Sequence, residues 1–254
     1  MAALESTWPH FAVASRPRLD QYLVPIGNDP PGRSAGQARR STRMPNVAYN
    51  QSDDPRWRSF ASTRSGVCMA LSAHFVIKAL RGEDFWAWLS PPSGRDGGAL
   101  RVLAGATRQS CVQDVRFLYD HHTKLKTLHG DGYQAVENNF LKDYIATLGG
   151  RISGQLVQAR PDHALPLRVL PQEIGRMLAG GNAVYASWAS LKLNGAHAIS
   201  AVPGPGGRFR FFEPVLGERE HASVGALASD ILTATMQTHG IVEIDRYLLM
   251  SFSM

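Results

Sequence analysis

Only two cysteines, Cys68 and Cys111, occur in the 254 residues. They are too few for a multi-disulfide framework and sit in unlike contexts, so a reducing compartment is expected, in which a thiol stays free for chemistry. Long apolar runs are missing as well. No stretch approaches the roughly 18 consecutive apolar residues of a membrane span, and the N-terminus lacks a basic region followed by a sustained apolar run. The chain therefore reads as soluble, with neither a transmembrane segment nor a general secretion signal peptide. Strong charge of one sign is absent too: 27 Lys and Arg stand against 21 Asp and Glu, a net charge of +6. The arginines are scattered and no basic helix stands out, which speaks against nucleic acid as a partner. No internal repeat is visible.

What is present suffices for one enzyme-sized core, since 44% of the residues are hydrophobic. From about Val24 to Trp57 the sequence is rich in Pro, Gly, Ser, Asn and Arg and poor in large apolar side chains. Such a segment buries too little surface to offset the entropy of ordering it. Residues 1–54 are accordingly expected to form a flexible N-terminal region and residues 55–254 the folded domain. A monomer is the expected state.

Within that domain, SGVCMALSAHFVIKAL sets Cys68, Leu71, Phe75 and Ala79 three and four residues apart, with Ser65 available as an N-cap. This predicts a helix that begins close to the cysteine. TRQSCVQDVRFLYDHHTKL and GYQAVENNFLKDYIATLGG predict two further helices, the second closed by Gly149 and Gly150. LPQEIGRMLAGG predicts a short helix. The runs NAVYASWAS, GAHAISAVP, RFRFFEP and IVEIDRYLLMSFS favour β-branched, aromatic and small residues and predict strands. Helices first and an antiparallel sheet second give an α+β domain with two lobes.

A thiol is a strong nucleophile only when its pKa is lowered, and a helix start supplies a dipole end and unpaired N–H groups for that purpose. Cys68 lies at such a place, after the small residues Ser65 and Gly66; Cys111 does not. His197, in NGAHAISAVP, is flanked by small residues on a strand. About 130 residues separate the two, the Cys-to-His separation of papain-like proteases. Glu213 ends the strand RFRFFEP, within reach of the far nitrogen of an imidazole on a neighbouring strand, where a carboxylate fixes the tautomer. Ser62 and Thr63, or Asn50 folding back, are the candidates for an oxyanion-hole side chain. Adjacent His121 and His122, with His129 beyond, do not share a helix face, and no metal site or cofactor is expected. The GPGG run from Gly204 to Gly207 lacks a following helix and reads as a hairpin loop. Trp86 and Trp88 read as core or lobe-packing residues, with a place lining the cleft as the alternative for one of them.

Three motifs, SGVCMALSAHFV, GAHAISAV and FFEPVLG, resemble in order and character the YopT/AvrPphB-type cysteine proteases, effectors that bacteria inject into host cells. The resemblance spans roughly residues 60 to 250. It implies a papain-like cysteine protease fold, a helical lobe against a β-sheet lobe, with Cys68 as nucleophile, His197 as general base and Glu213 as the orienting acid. The family normally has aspartate at the third position, so Glu213 departs from its pattern by one methylene. The resemblance further implies a type III secretion signal in the N-terminal region and a host protein substrate, with small GTPases and signalling kinases as precedents. The site of action would be the host cytoplasm or the inner face of the host membrane. Glutamine deamidases and acyltransferases share the Cys-His-acid geometry, and a non-catalytic effector that retains the fold is the remaining alternative.

Overall fold

A computed structural model describes residues 46–60, 67–89, 99–129, 133–159, 165–166, 168–190, 195–239 and 243–254. The expected secretion signal, Ser62, Thr63, Ser65 and Gly66 lie outside the described residues. The helices are α1 Val67–Leu80, α2 Phe85–Leu89, α3 Ala99–His129, α4 Tyr133–Leu148, α5 Val169–Ala179 and α6 Val224–His239. The strands are β1 Ile152–Ala159, β2 Leu165–Pro166, β3 Asn182–Ser190, β4 Gly195–Pro203, β5 Phe209–Glu213, β6 Gly217–His221, β7 Glu243–Ile244 and β8 Arg246–Ser253. The fold is α+β. Six strands form one antiparallel sheet in the order β1-β8-β3-β4-β5-β6, and β2 pairs separately with β7.

The sheet is covered on both faces, which the two-lobe expectation did not include. Because strand side chains alternate faces, Ala183, Tyr185, Ala198, Val202, Phe212 and Met250 pack in one apolar cluster with α1 to α4. Val184, Ala186, Trp188, Ile199, Phe211 and Leu249 pack in a second with α5 and α6. Helix α6 supplies Leu227, Ile231 and Ala234 at spacings of four and three, one helical face. No helix among the described residues is long and apolar enough to cross a membrane.

Helix α1 is buried from Val67 through Ile77. Its small residues Ala70 and Ala73, both fully buried, permit close approach to the sheet, and Ser72 Oγ donates to the Ala198 carbonyl at 3.1 Å. That bond fixes the helix against the strand that carries His197. Around its far end, Phe75 stacks on Phe212 at 5.1 Å and meets Phe85 at 5.1 Å. Such ring pairs add about 0.5–1.5 kcal/mol beyond the area they bury.

Residues 46–54, expected in the flexible region, pack on the sheet edge. Val47 and Glu218 exchange backbone hydrogen bonds of 3.0 and 2.9 Å, and Gln51 N–H donates to the Pro214 carbonyl at 2.8 Å. Tyr49 sits against Trp86 and Phe212 and accepts from Trp57 Nε1 at 2.7 Å. Two large side chains and a row of backbone bonds hold this polar stretch, which composition alone does not reveal. Gly217 makes the contact possible: its φ of 94° is in the glycine-favouring region, and a Cβ there would lie 1.9 Å from the Val47 carbonyl oxygen.

Candidate active site

Cys68 is the second residue of α1, so it sits in the first turn, whose N–H groups have no intrahelical acceptors. His197 is near the start of β4, directly opposite Trp188 in the antiparallel register. Glu213 is the last residue of β5, the next strand. The helix, pinned at Ser72 to β4, and the strand pairing bring the three side chains into one buried chain. His197 Nε2 is 2.5 Å from Glu213 Oε1, and the Cys68 side chain hydrogen-bonds the His197 ring. With Nε2 engaged by the carboxylate, Nδ1 is the ring nitrogen left for the sulfur. Cys68 and His197 are each 5% exposed and Glu213 1%.

The electrostatics follow from that contact geometry. Burial by itself disfavours the imidazolium, but the hydrogen bonds it donates to Cys68 and Glu213 and their negative charges outweigh it, so His197 is raised to about 9. Burial likewise pushes Glu213 up, yet His197, the nearby His239 ring and the Val215 amide hold it down at about 2. The second carboxylate oxygen, Oε2, accepts from the Val215 N–H at 2.8 Å and the Leu216 N–H at 2.7 Å. The turn after β5 thus grips the carboxylate from behind while Oε1 faces the imidazole. Cys111, by contrast, is fully buried in α3 and burial pushes its thiol up to about 12. Of the two thiols, Cys68 is the one with an imidazole hydrogen-bonded to it.

Two residues of the site were not found from sequence. Trp188, itself buried, lies edge-on to His197 with ring centroids 5.2 Å apart. Its place opposite His197 follows from strand register, which no local pattern states. His239, the last residue of α6, lies 4.0 Å from His197 between ring centroids, with Nε2 3.7 Å from Glu213 Oε1. The one available signal was the apolar spacing of α6 ending in a histidine before glycine, a helix C-terminus.

His197, Glu213 and His239 offer nitrogen, oxygen and nitrogen donors within 4.8 Å of one another. A tetrahedral zinc shell with bonds of ~2.0–2.1 Å has ligands ~3.3 Å apart. His197 Nε2 and Glu213 Oε1, 2.5 Å apart, are closer than two ligands of such a shell and are hydrogen-bonded to each other. The other histidines separate: His121 stacks on Phe140 at 3.5 Å, and His122 Nδ1 pairs with Glu137. Trp86 Nε1 donates to Glu218 at 2.5 Å and Trp88 Nε1 to Asp114 at 3.2 Å, so both are packing residues. Gly204 to Gly207 turn the chain between β4 and β5. Asn50 bonds locally, donating from its amide to Asp53 and accepting from the Ser52 N–H.

No family model matches the chain. No curated protein matches it either. Among solved structures it is similar to the crystal structure of the Pseudomonas avirulence protein AvrPphB, at 13% sequence identity and a TM-score of 0.45, over 75% of this chain and 93% of that one.

Proposed function

We propose that this chain is a cysteine protease of papain-like fold that works through Cys68, His197 and Glu213. The observation that carries the reading is the buried contact chain from sulfur to imidazole to carboxylate, in which the imidazole is held protonated against burial. That is the arrangement of a thiolate–imidazolium pair, the activated form of a cysteine nucleophile.

In the proposed reaction the Cys68 thiolate attacks a peptide carbonyl. The oxyanion that forms is met by N–H groups at the first turn of α1, the positive end of the helix. His197 then gives its proton to the departing amine, leaving a thioester on Cys68. A water molecule, deprotonated by His197, hydrolyses the thioester and restores the pair. Glu213 keeps the imidazole in its orientation and balances the positive charge throughout. Trp188 shields the imidazole–carboxylate bond from water, which strengthens it.

The motif resemblance supports a narrower reading: a type III secreted effector that cleaves a host signalling protein at the host membrane or in the host cytoplasm. Host-cell extract treated with the wild-type chain or with Cys68→Ala, followed by labelling of new protein N-termini, tests both levels. New N-termini with wild type alone are expected. Cleavage by a folded Cys68→Ala protein would refute the nucleophile. Ammonia release without chain cleavage would transfer the same three residues to a deamidase.

A further inference from the structure

Glu213 is in contact with two histidines, and the mechanism above uses one. His239 reaches the carboxylate from the C-terminal end of α6, on the side opposite Cys68's helix. Its Nε2 is buried and makes no hydrogen bond, stopping 3.7 Å from Glu213 Oε1. A buried ring nitrogen without a partner is costly, and 3.7 Å from this one lies the oxygen that also takes His197. The ring is wedged by Trp188, whose centroid lies 6.3 Å away, and by His197 at 4.0 Å.

The need for such a group follows from how the carboxylate is held. Val215 and Leu216 N–H both bond to Oε2, so that oxygen is a pivot. Oε1 and the His197 ring bonded to it can swing together about the pivot, carrying Nδ1 away from the sulfur. Oε1 has a second lone pair, and a donor on it closes off the swing. Among the described residues the groups facing Glu213 are His197 from β4, His239 from α6 and the two turn amides, with Cys68 of α1 beyond His197.

We propose that His239 is a positioning residue for this site: by closing the 3.7 Å gap its Nε2 donates to Glu213 Oε1 and clamps the carboxylate, and with it His197, in line with Cys68. The catalytic consequence rests on the protease reading; the hydrogen bond itself does not. The longer side chain of glutamate, where the resembling family has aspartate, sets the carboxylate far enough out to meet both rings.

The test uses two substitutions with opposite chemistry. His239→Gln keeps a donor and gives up the ring; His239→Phe keeps the ring against Trp188 and gives up the donor. The rate of Cys68 alkylation by iodoacetate is followed from pH 5 to 10, because the anionic reagent reacts best while His197 keeps its proton. The wild-type rate should fall through about pH 9, where His197 loses that proton. Phe should bring this limb down by roughly one pH unit and slow alkylation several-fold at pH 8.5, with Gln close to wild type. A wild-type profile for Phe overturns the clamp, and so does an impaired Gln, since either outcome gives the ring's packing and not its donor the role. Nitrogen-15 spectra of the imidazoles supply a reading independent of reactivity. They should show the His239 proton on Nε2, and a proton on Nδ1 with Nε2 bare overturns the proposal. If wild-type Cys68 is no more reactive than a simple thiol while His239 carries its proton on Nε2, the protease reading has failed and the hydrogen bond stands.

Discussion

Replacing Glu213 by Gln keeps the size of the side chain and removes its charge, so its effect on stability has a size and a pH signature set by the site. His197 is raised from 6.5 to about 9 in the folded protein, by Cys68 and Glu213 together and against burial. At 1.36 kcal/mol per unit this is on the order of 3 kcal/mol of differential stabilisation. A raised histidine stabilises fully below its unfolded value of 6.5, and the benefit is lost as pH climbs through about 9, because the native state then binds the extra proton. Glu213 is lowered from 4.5 to about 2, so its contribution is present above 4.5 and disappears as pH falls through about 2. The two shifts describe one ion pair from its two ends and are counted once. Between pH 4.5 and 6.5 the wild type therefore has its full share, and Glu213→Gln gives up the part due to the carboxylate, about 1–2 kcal/mol. For a domain of this size that lowers Tm by about 3–6 °C. Urea unfolding of both proteins at pH 6, 7.5 and 9.5 measures the gap directly. It should be widest at pH 6 and close by pH 9.5. A gap that stays constant over this range would refute the ion pair as its source.

Three other outcomes follow from particular contacts. Iodoacetamide at pH 8 should modify Cys68 in the folded protein and leave Cys111 intact, since burial holds the Cys111 thiol up near 12; mass spectrometry of the peptides locates the adduct. Modification of Cys111 at a comparable rate would mean that α3 opens far more readily than its packing indicates. Gly217→Ala should destabilise by about 2–4 kcal/mol, because a side chain is forced onto a φ of 94° and into the Val47 carbonyl; a Tm within 2 °C of wild type, read by calorimetry at about 1 kcal/mol per 2–4 °C, would contradict that contact. Ser72→Ala removes the bond to the Ala198 carbonyl and should cost about 1 kcal/mol while slowing Cys68 alkylation, as the helix start loosens relative to β4. Unchanged alkylation would show that other packing fixes that register.

The parts of the site that were legible in the sequence are those in which local chain and chemistry coincide. In the sequence Cys68 follows the small residues Ser65 and Gly66 and opens a periodic apolar helix, and both facts lie within a dozen residues of it. His197 and Glu213 mark two strands separated by a short glycine turn, so their adjacency follows from a hairpin alone. Elements whose signal depends on distant partners were not legible. Strand β6, GEREH, reads as a charge cluster, yet Glu218 is buried because Arg210 on β5 and Trp86 on α2 both bond to it. A buried carboxylate that accepts from two donors behaves as a core residue, and alternation of apolar side chains does not detect it. Helix α6 carries the apolar spacing in Leu227, Ile231 and Ala234, but small and hydroxylated residues between them weaken the pattern. The segment 46–54 was hidden for the related reason that its anchorage is mostly backbone.

The glutamate at position 213 is where sequence and structure bear most directly on each other. As a departure by one methylene from the pattern of the resembling family, it poses the question of where the longer side chain sets its carboxylate. The carboxylate is neither displaced from His197 nor poorly held: 2.5 Å to the imidazole and two amide bonds near 2.8 Å leave no oxygen idle except one lone pair of Oε1. His239 Nε2 lies 3.7 Å from that oxygen. One additional methylene lengthens the reach from the backbone by about 1.5 Å, enough to move an acid from beside one ring to a seat between two. The substitution and the second histidine are thus better understood as a single feature. On this reasoning Glu213→Asp, which retains the charge, should still impair Cys68, and adding His239→Phe to it should do little further harm. Rate losses that simply multiply in the double variant would show that the two positions act independently.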